Sequence, residues 1–151
     1  TIIVIQDSNY AENLTINKRL TFISMQGINT TALGINNSTL YTTINGIITI
    51  NSANVSFQNF NFNDAGNVIN INNVNNIHFN NCVVLNGVIQ IDSSLAPAGF
   101  LAENSGLLNI NGVGNNNDII LNKSNLTGNI TGDVLTLGLI DTTINVILIL
   151  I

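Results

Sequence analysis

Charge is nearly missing from this sequence. Only 7% of its 151 residues are Asp, Glu, Lys or Arg, against roughly 25% in an ordinary soluble domain, so the surface must be polar without being ionic. The three cations, Lys18, Arg19 and Lys123, are too few to neutralise several phosphates, which argues against nucleic acid as a partner. Trp is absent, and Tyr10 and Tyr41 are the only tyrosines, so no cluster of surface aromatics is expected for stacking on sugar rings. A single Cys, Cys82, allows no intramolecular disulfide and reads as a small buried hydrophobe. The single His, His78, stands between Ile77 and Phe79. It should face away from them toward solvent, and no Cys, His or carboxylate lies at ligand spacing, so neither a metal nor a cofactor is expected. No apolar run approaches 20 residues and no charged segment leads into an apolar one. The chain as it stands is therefore read as neither a membrane span nor a secretory precursor.

What is abundant is asparagine, about a fifth of the residues, together with Ile, Val and Leu. Asn-rich composition alone suggests a disordered tract, but the apolar residues alternate regularly, and disordered segments lack the apolar surface to offset chain entropy. From Gly46 to Asp92 the sequence repeats. Gly46 leads to Ile48-Thr49-Ile50, Gly66 to Ile69-Asn70-Ile71, and Gly87 to Ile89-Gln90-Ile91. A second register lays Val55-Ser56-Phe57-Gln58-Asn59-Phe60 over Ile77-His78-Phe79-Asn80-Asn81-Cys82. Alternation with period two buries one face of each segment, and the Asn, Gly, Ser and Asp between segments tolerate left-handed backbone. A repeat of about 20 residues with several short strands per unit predicts a solenoid whose coils stack and pair in parallel.

Taken in order, the chain opens as a strand over Ile2, Ile3, Val4 and Ile5. It continues through Tyr10-Ala11-Glu12-Asn13-Leu14-Thr15-Ile16-Asn17-Lys18-Arg19-Leu20-Thr21-Phe22-Ile23. That passage resembles the first coils of right-handed parallel β-helix proteins of the pectin-lyase-like superfamily, in character nearest to archaeal and bacterial surface adhesin-like members. The resemblance implies an all-β, right-handed parallel β-helix. Counting strands along the sequence predicts about seven coils in one domain over 1–151, a rod a little over 30 Å long at about 4.8 Å per coil. Excursions from the stack are expected near 26–45 and near 93–106, the second marked by the lone Pro97 and a break in period.

Chemistry is sparse. Enzymes of the resembled superfamily cluster carboxylates with a Lys or Arg on one outward strand face. Here Asp7, Glu12, Asp64, Asp92, Glu103, Asp118, Asp133 and Asp141 are scattered singly, none with another at i+2, the spacing that shares a strand face. No active-site motif of that superfamily is matched residue by residue. No catalytic residue, no metal ligand and no enzymatic activity are therefore expected. Asn59, Asn81 and Lys123 follow apolar strands at equivalent positions, which predicts side-chain amides stacked from coil to coil. Asn13, Asn29, Asn36, Asn37, Asn54, Asn122, Asn125 and Asn129 begin N-x-S/T sequons, candidate glycan acceptors in a number near chance for this composition.

The ends carry the functional expectation. Ile2, Ile3, Val4 and Ile5, with Val146, Ile147, Leu148, Ile149, Leu150 and Ile151, form the most apolar strands, where natural solenoids usually carry polar caps. They predict head-to-tail stacking of copies into an extracellular or cell-surface filament or adhesin fibre, with self as the principal partner and surface glycans as a second. The alternative is a carbohydrate-binding or polysaccharide-cleaving β-helix.

Overall fold

The computed structural model describes residues 1–5, 9–24 and 42–145, without the side chains of Val4 and Ile5. Among these residues every regular element is a strand, and all strand pairs are parallel. Three sheets form. The first holds β1 (Ile2–Ile5), β4 (Thr21–Ser24), β7 (Val55–Gln58), β10 (Ile77–Asn80), β13 (Ala98–Glu103), β16 (Asn117–Asn122) and β19 (Thr136–Ile140). The second holds β2 (Asn9–Tyr10), β5 (Thr42–Ile44), β8 (Phe60–Asn63), β11 (Val83–Asn86), β14 (Gly106–Leu107), β17 (Asn125–Leu126) and β20 (Thr143–Ile144). The third holds β3 (Leu14–Ile16), β6 (Ile48–Ile50), β9 (Ile69–Asn72), β12 (Val88–Asp92), β15 (Asn109–Val113) and β18 (Ile130–Gly132). The chain visits the sheets in the same order on every turn. The result is a parallel β-solenoid of about six turns, six three-strand coils and two strands of the next, close to the seven expected.

Alternation places one side of each strand in a shared interior, and stacking aligns like with like. In the third sheet Ile48, Ile69, Ile89, Ile110 and Ile130 lie over one another, and Ile16, Ile50, Ile71 and Ile91 form a second buried column. In the first sheet Phe57 pairs with Phe22 below and Phe79 above. All six phenylalanines join one aromatic cluster, with ring centroids 4.6 Å apart for Phe22 and Phe57, 5.4 Å for Phe57 and Phe79, and 5.2 Å for Phe79 and Phe100. The register read from sequence, Val55 over Ile77 and Phe57 over Phe79, is the register of the sheet.

Turn length varies at the corners. Neighbours in the first sheet are 18 to 23 residues apart in sequence, except Thr21 and Ser56, which pair across the long segment that includes 25–41. The excursion expected over 93–106 does not leave the stack. Ala98–Glu103 is β13, paired with β10 on one side and β16 on the other, and Ala98, Phe100 and Ala102 are buried. Ala at two of three inward positions hides the apolar alternation from a sequence reading. Physically, the small Ala102 stands over Phe79, whose ring meets that of Phe100. Only the turn before β13 projects, and it carries Leu95, 89% exposed.

Candidate functional site

Corners of a stacked solenoid place equivalent residues at coil spacing, so their side chains form columns. At the corner between the first and second sheets, Asn59, Asn81, Asn104, Lys123 and Asp141 all adopt positive φ, between 47° and 66°. Asn is the residue other than Gly that best tolerates this region. The backbone N–H of Asn59 donates to the Asn80 carbonyl (3.1 Å), that of Asn81 to Glu103 (3.1 Å) and that of Asn104 to Asn122 (3.0 Å). Elsewhere the amides themselves ladder. Asn72 Nδ2 donates to Asn51 Oδ1 at 2.9 Å, Asn51 Nδ2 to Asn17 Oδ1 at 3.0 Å, Asn76 Nδ2 to Asn54 Oδ1 at 3.1 Å and Asn63 Nδ2 to Asn45 Oδ1 at 3.0 Å. Each amide presents donor and acceptor together, so one residue type repeats indefinitely along the stack. This explains the asparagine bias.

Just inside the first corner runs a column that sequence reasoning missed: Cys82, Ser105, Ser124 and Thr142. The hydroxyls of Ser105, Ser124 and Thr142 donate to the carbonyl two residues back, at 2.7, 3.0 and 2.9 Å. Ser124 and Thr142 also reach the previous coil, at Ala102 and Leu121. The N–H of Cys82 donates to Ser105 Oγ, and that of Ser105 to Ser124 Oγ. The available signal was the small hydroxyl residue directly after the left-handed positions Asn104, Lys123 and Asp141.

Cys82 takes the same place with a thiol, 3.5 Å from the carbonyls of Phe57 and Asn80. Burial pushes this thiol from an ordinary 9.0 up to about 12, opposed by hydrogen bonding to the backbone at Phe60, Asn80 and Asn59. The folded state thus keeps the proton longer than the unfolded chain. Its contribution to stability is full below about pH 9 and is lost as pH climbs through about 12. Urea titrations from pH 7 to pH 11 should show Cys82→Ser losing less stability with rising pH than the parent. Equal slopes for the two proteins would refute this assignment.

The outer face of the first sheet carries the titratable contacts. His78 Nε2 lies 2.9 Å from Glu103 Oε2, and Glu103 Oε1 accepts from Asn122 Nδ2 at 3.0 Å. His78 was expected to stand alone in solvent. It is only partly exposed and meets a carboxylate 25 residues on, a contact created because β13 belongs to the stack. Among the described residues no three His, Cys, Asp or Glu gather as a cation site. Asp92 caps a turn, its Oδ1 accepting from the Ser94 hydroxyl and from the Ser94 N–H, which hold its carboxyl below the usual range.

The sequon asparagines have varied surroundings. Asn13 is exposed but accepts from the Ile47 N–H at 2.8 Å. Asn54 is exposed with φ 59° and accepts from Asn76. Asn122 and Asn125 are half-buried, and Asn129 is exposed. Asn29, Asn36 and Asn37 lie outside the described residues, as do Val146, Ile147, Leu148, Ile149, Leu150 and Ile151 of the expected assembly surface. At the opposite end Ile3 pairs with Phe22 and packs on the core, whereas Ile2 is 66% exposed. No helix among the described residues is long and apolar enough to cross a membrane. Compared with protein-family models, with curated proteins and with solved structures, the chain matches none of them.

Proposed function

We propose that this solenoid is a structural module that extends by adding coils of a second copy to its outermost strands, as a subunit of an extracellular or cell-surface fibre. The supporting observation is the character of β19. It is the outermost strand of its sheet among the described residues, and its Thr-Leu-Gly-Leu-Ile sequence has no charge and no proline. Natural edge strands usually carry such residues to block pairing. Leu139 continues the inward column through Leu121, yet it is 41% exposed. Leu135 and Ile140 beside it are also exposed. Strand addition there satisfies backbone groups and covers aliphatic surface in one contact. β1, Ile-Ile-Val-Ile, is the outermost strand at the other side of the same sheet and offers a matching edge. A right-handed sense, a kinship with surface adhesin-like β-helices, a non-catalytic role and contact with surface glycans all belong to this proposal.

Negative-stain microscopy of the purified protein should show filaments one solenoid wide that persist in high salt, because the joint is apolar. Leu139→Asp should remain folded by circular dichroism and lose the filaments, as should deletion of Val146–Ile151. Discrete particles from the parent protein, or unchanged filaments from both variants, would overturn the reading.

A further inference from the structure

On the outer face of the first sheet, two glycines stand where the backbone does not demand them. A Cβ on Gly99 would meet nothing closer than Asn75 Cβ at 3.7 Å, and one on Gly138 would meet Ile120 Cγ1 at 3.5 Å, both ordinary contacts without positive φ. Glycine inside a strand costs stability and often marks close approach by a ligand or another backbone. Gly99 lies beside Asp118, Leu101 beside Ile120, and Ile120 beside Gly138 in the sheet register. Gly99, Leu101, Asp118 and Ile120, with Asn75 and Asn76, line an open groove of about 370 Å³. Its floor is apolar, with Ile120 39% exposed. Asp118 is exposed on one side, and on the other the Glu103 carboxylate joins His78. Lys123 lies past the far end of β16, on the side away from Asp118.

The groove favours a cation carried on an apolar stem. The chain has three cations against eight acids, and two of the three, Lys18 and Arg19, are adjacent. They are exposed at the corner between β3 and β4, and neither is ion-paired among the described residues. We infer that the Lys18-Arg19 corner of one copy docks into the Gly99–Asp118 groove of another, a lateral, heterologous contact separate from end-to-end stacking. The guanidinium of Arg19 matches a carboxylate in bidentate geometry, and the alkyl stems cover Leu101 and Ile120. Between molecules of net charge -5, this pairing of opposite patches also fixes the orientation of approach. Each copy keeps one corner and one groove free, so the contact propagates without closing.

Sedimentation velocity of the Leu139→Asp protein, in which end-to-end filaments are lost, across a concentration series at low and at moderate salt tests the inference. This background protein should self-associate at low salt, with the dissociation constant rising at least about tenfold at moderate salt. D118K alone and the K18E/R19E pair alone should each abolish this association. Mixing the two variants should restore it as alternating chains, because the unaltered corner of D118K meets the unaltered groove of K18E/R19E while the acidic corner of the latter meets the basic groove of the former. G99Q, which fills the groove, should also abolish association while melting within a few degrees of the parent. Salt-independent association, no rescue on mixing, or association undiminished in G99Q would each overturn the lateral contact. So would a Leu139→Asp protein that stays monomeric throughout the series. Because end-to-end filaments are expected to survive both salt and D118K, microscopy of the parent and of D118K with Leu139 intact separates failure of one contact from failure of the other.

Discussion

Phe79→Ala is expected to cost about 3 to 5 kcal/mol of unfolding free energy. The ring is completely buried, and it touches Phe57 below at 5.4 Å, Phe62 across the interior at 5.1 Å and Phe100 at 5.2 Å. Little can collapse into the space it leaves, because its neighbours hang from hydrogen-bonded strands whose positions are set by coils on both sides. The alanine at Ala102 already stands over it, so a second alanine in the same column leaves two small side chains in succession. Urea unfolding of parent and variant measures the loss. A cost below about 1 kcal/mol would mean the aromatic column does not carry the core.

Gly87→Ala should destabilise by about 2 to 4 kcal/mol although it adds only one methyl group. Gly87 has φ +92°, which an L side chain rarely adopts, and its N–H donates to Asn86 Oδ1 at 2.9 Å. An added Cβ would fall on the Asp64 carbonyl oxygen and within 2.7 Å of the Gly66 carbonyl oxygen. The Gly66 oxygen is the acceptor of the Val88 N–H at 2.9 Å, so it cannot retreat without breaking a bond between coils. Strain and clash therefore add. Gly99→Ala is the control, because its Cβ has room, and it should lie within about 1 kcal/mol of the parent. Denaturant midpoints of the three proteins decide the matter. Equal stability of the two alanine variants would show that the corner yields more readily than the close approach of its carbonyls implies.

The two glycines also show how far the sequence could be read. Gly46, Gly66 and Gly87 announced the repeat, and the paired isoleucines after them announced the columns they enter. The asparagine bias announced amide ladders, but these run through Asn17, Asn51 and Asn72 and through Asn54 and Asn76. The left-handed corner at Asn59 and Asn81, where they were expected, is joined to the next coil by backbone bonds. Gly99 lies outside that register, yet the register does not distinguish Gly87, where an added Cβ would strike carbonyls, from Gly66, where it would not. That difference lies in carbonyls contributed by another coil.

Alternation and period, which are local, determined that this chain is a parallel β-solenoid and which side chains fill its interior. A side chain two residues along a strand shares its face, and equivalent segments at a near-constant step must stack. Only the tertiary structure decided what depends on the length of individual turns. The 23-residue step from Ile77 to Phe100 returned 98–103 to the sheet, and with it placed Glu103 against His78 and opened the groove at Gly99. The hydroxyl column above Cys82 likewise exists because each corner turns tightly enough for one coil's N–H to reach the next coil's oxygen. Turn length sums weak preferences over several polar residues, whereas alternation repeats one strong preference, the burial of aliphatic surface, on every strand.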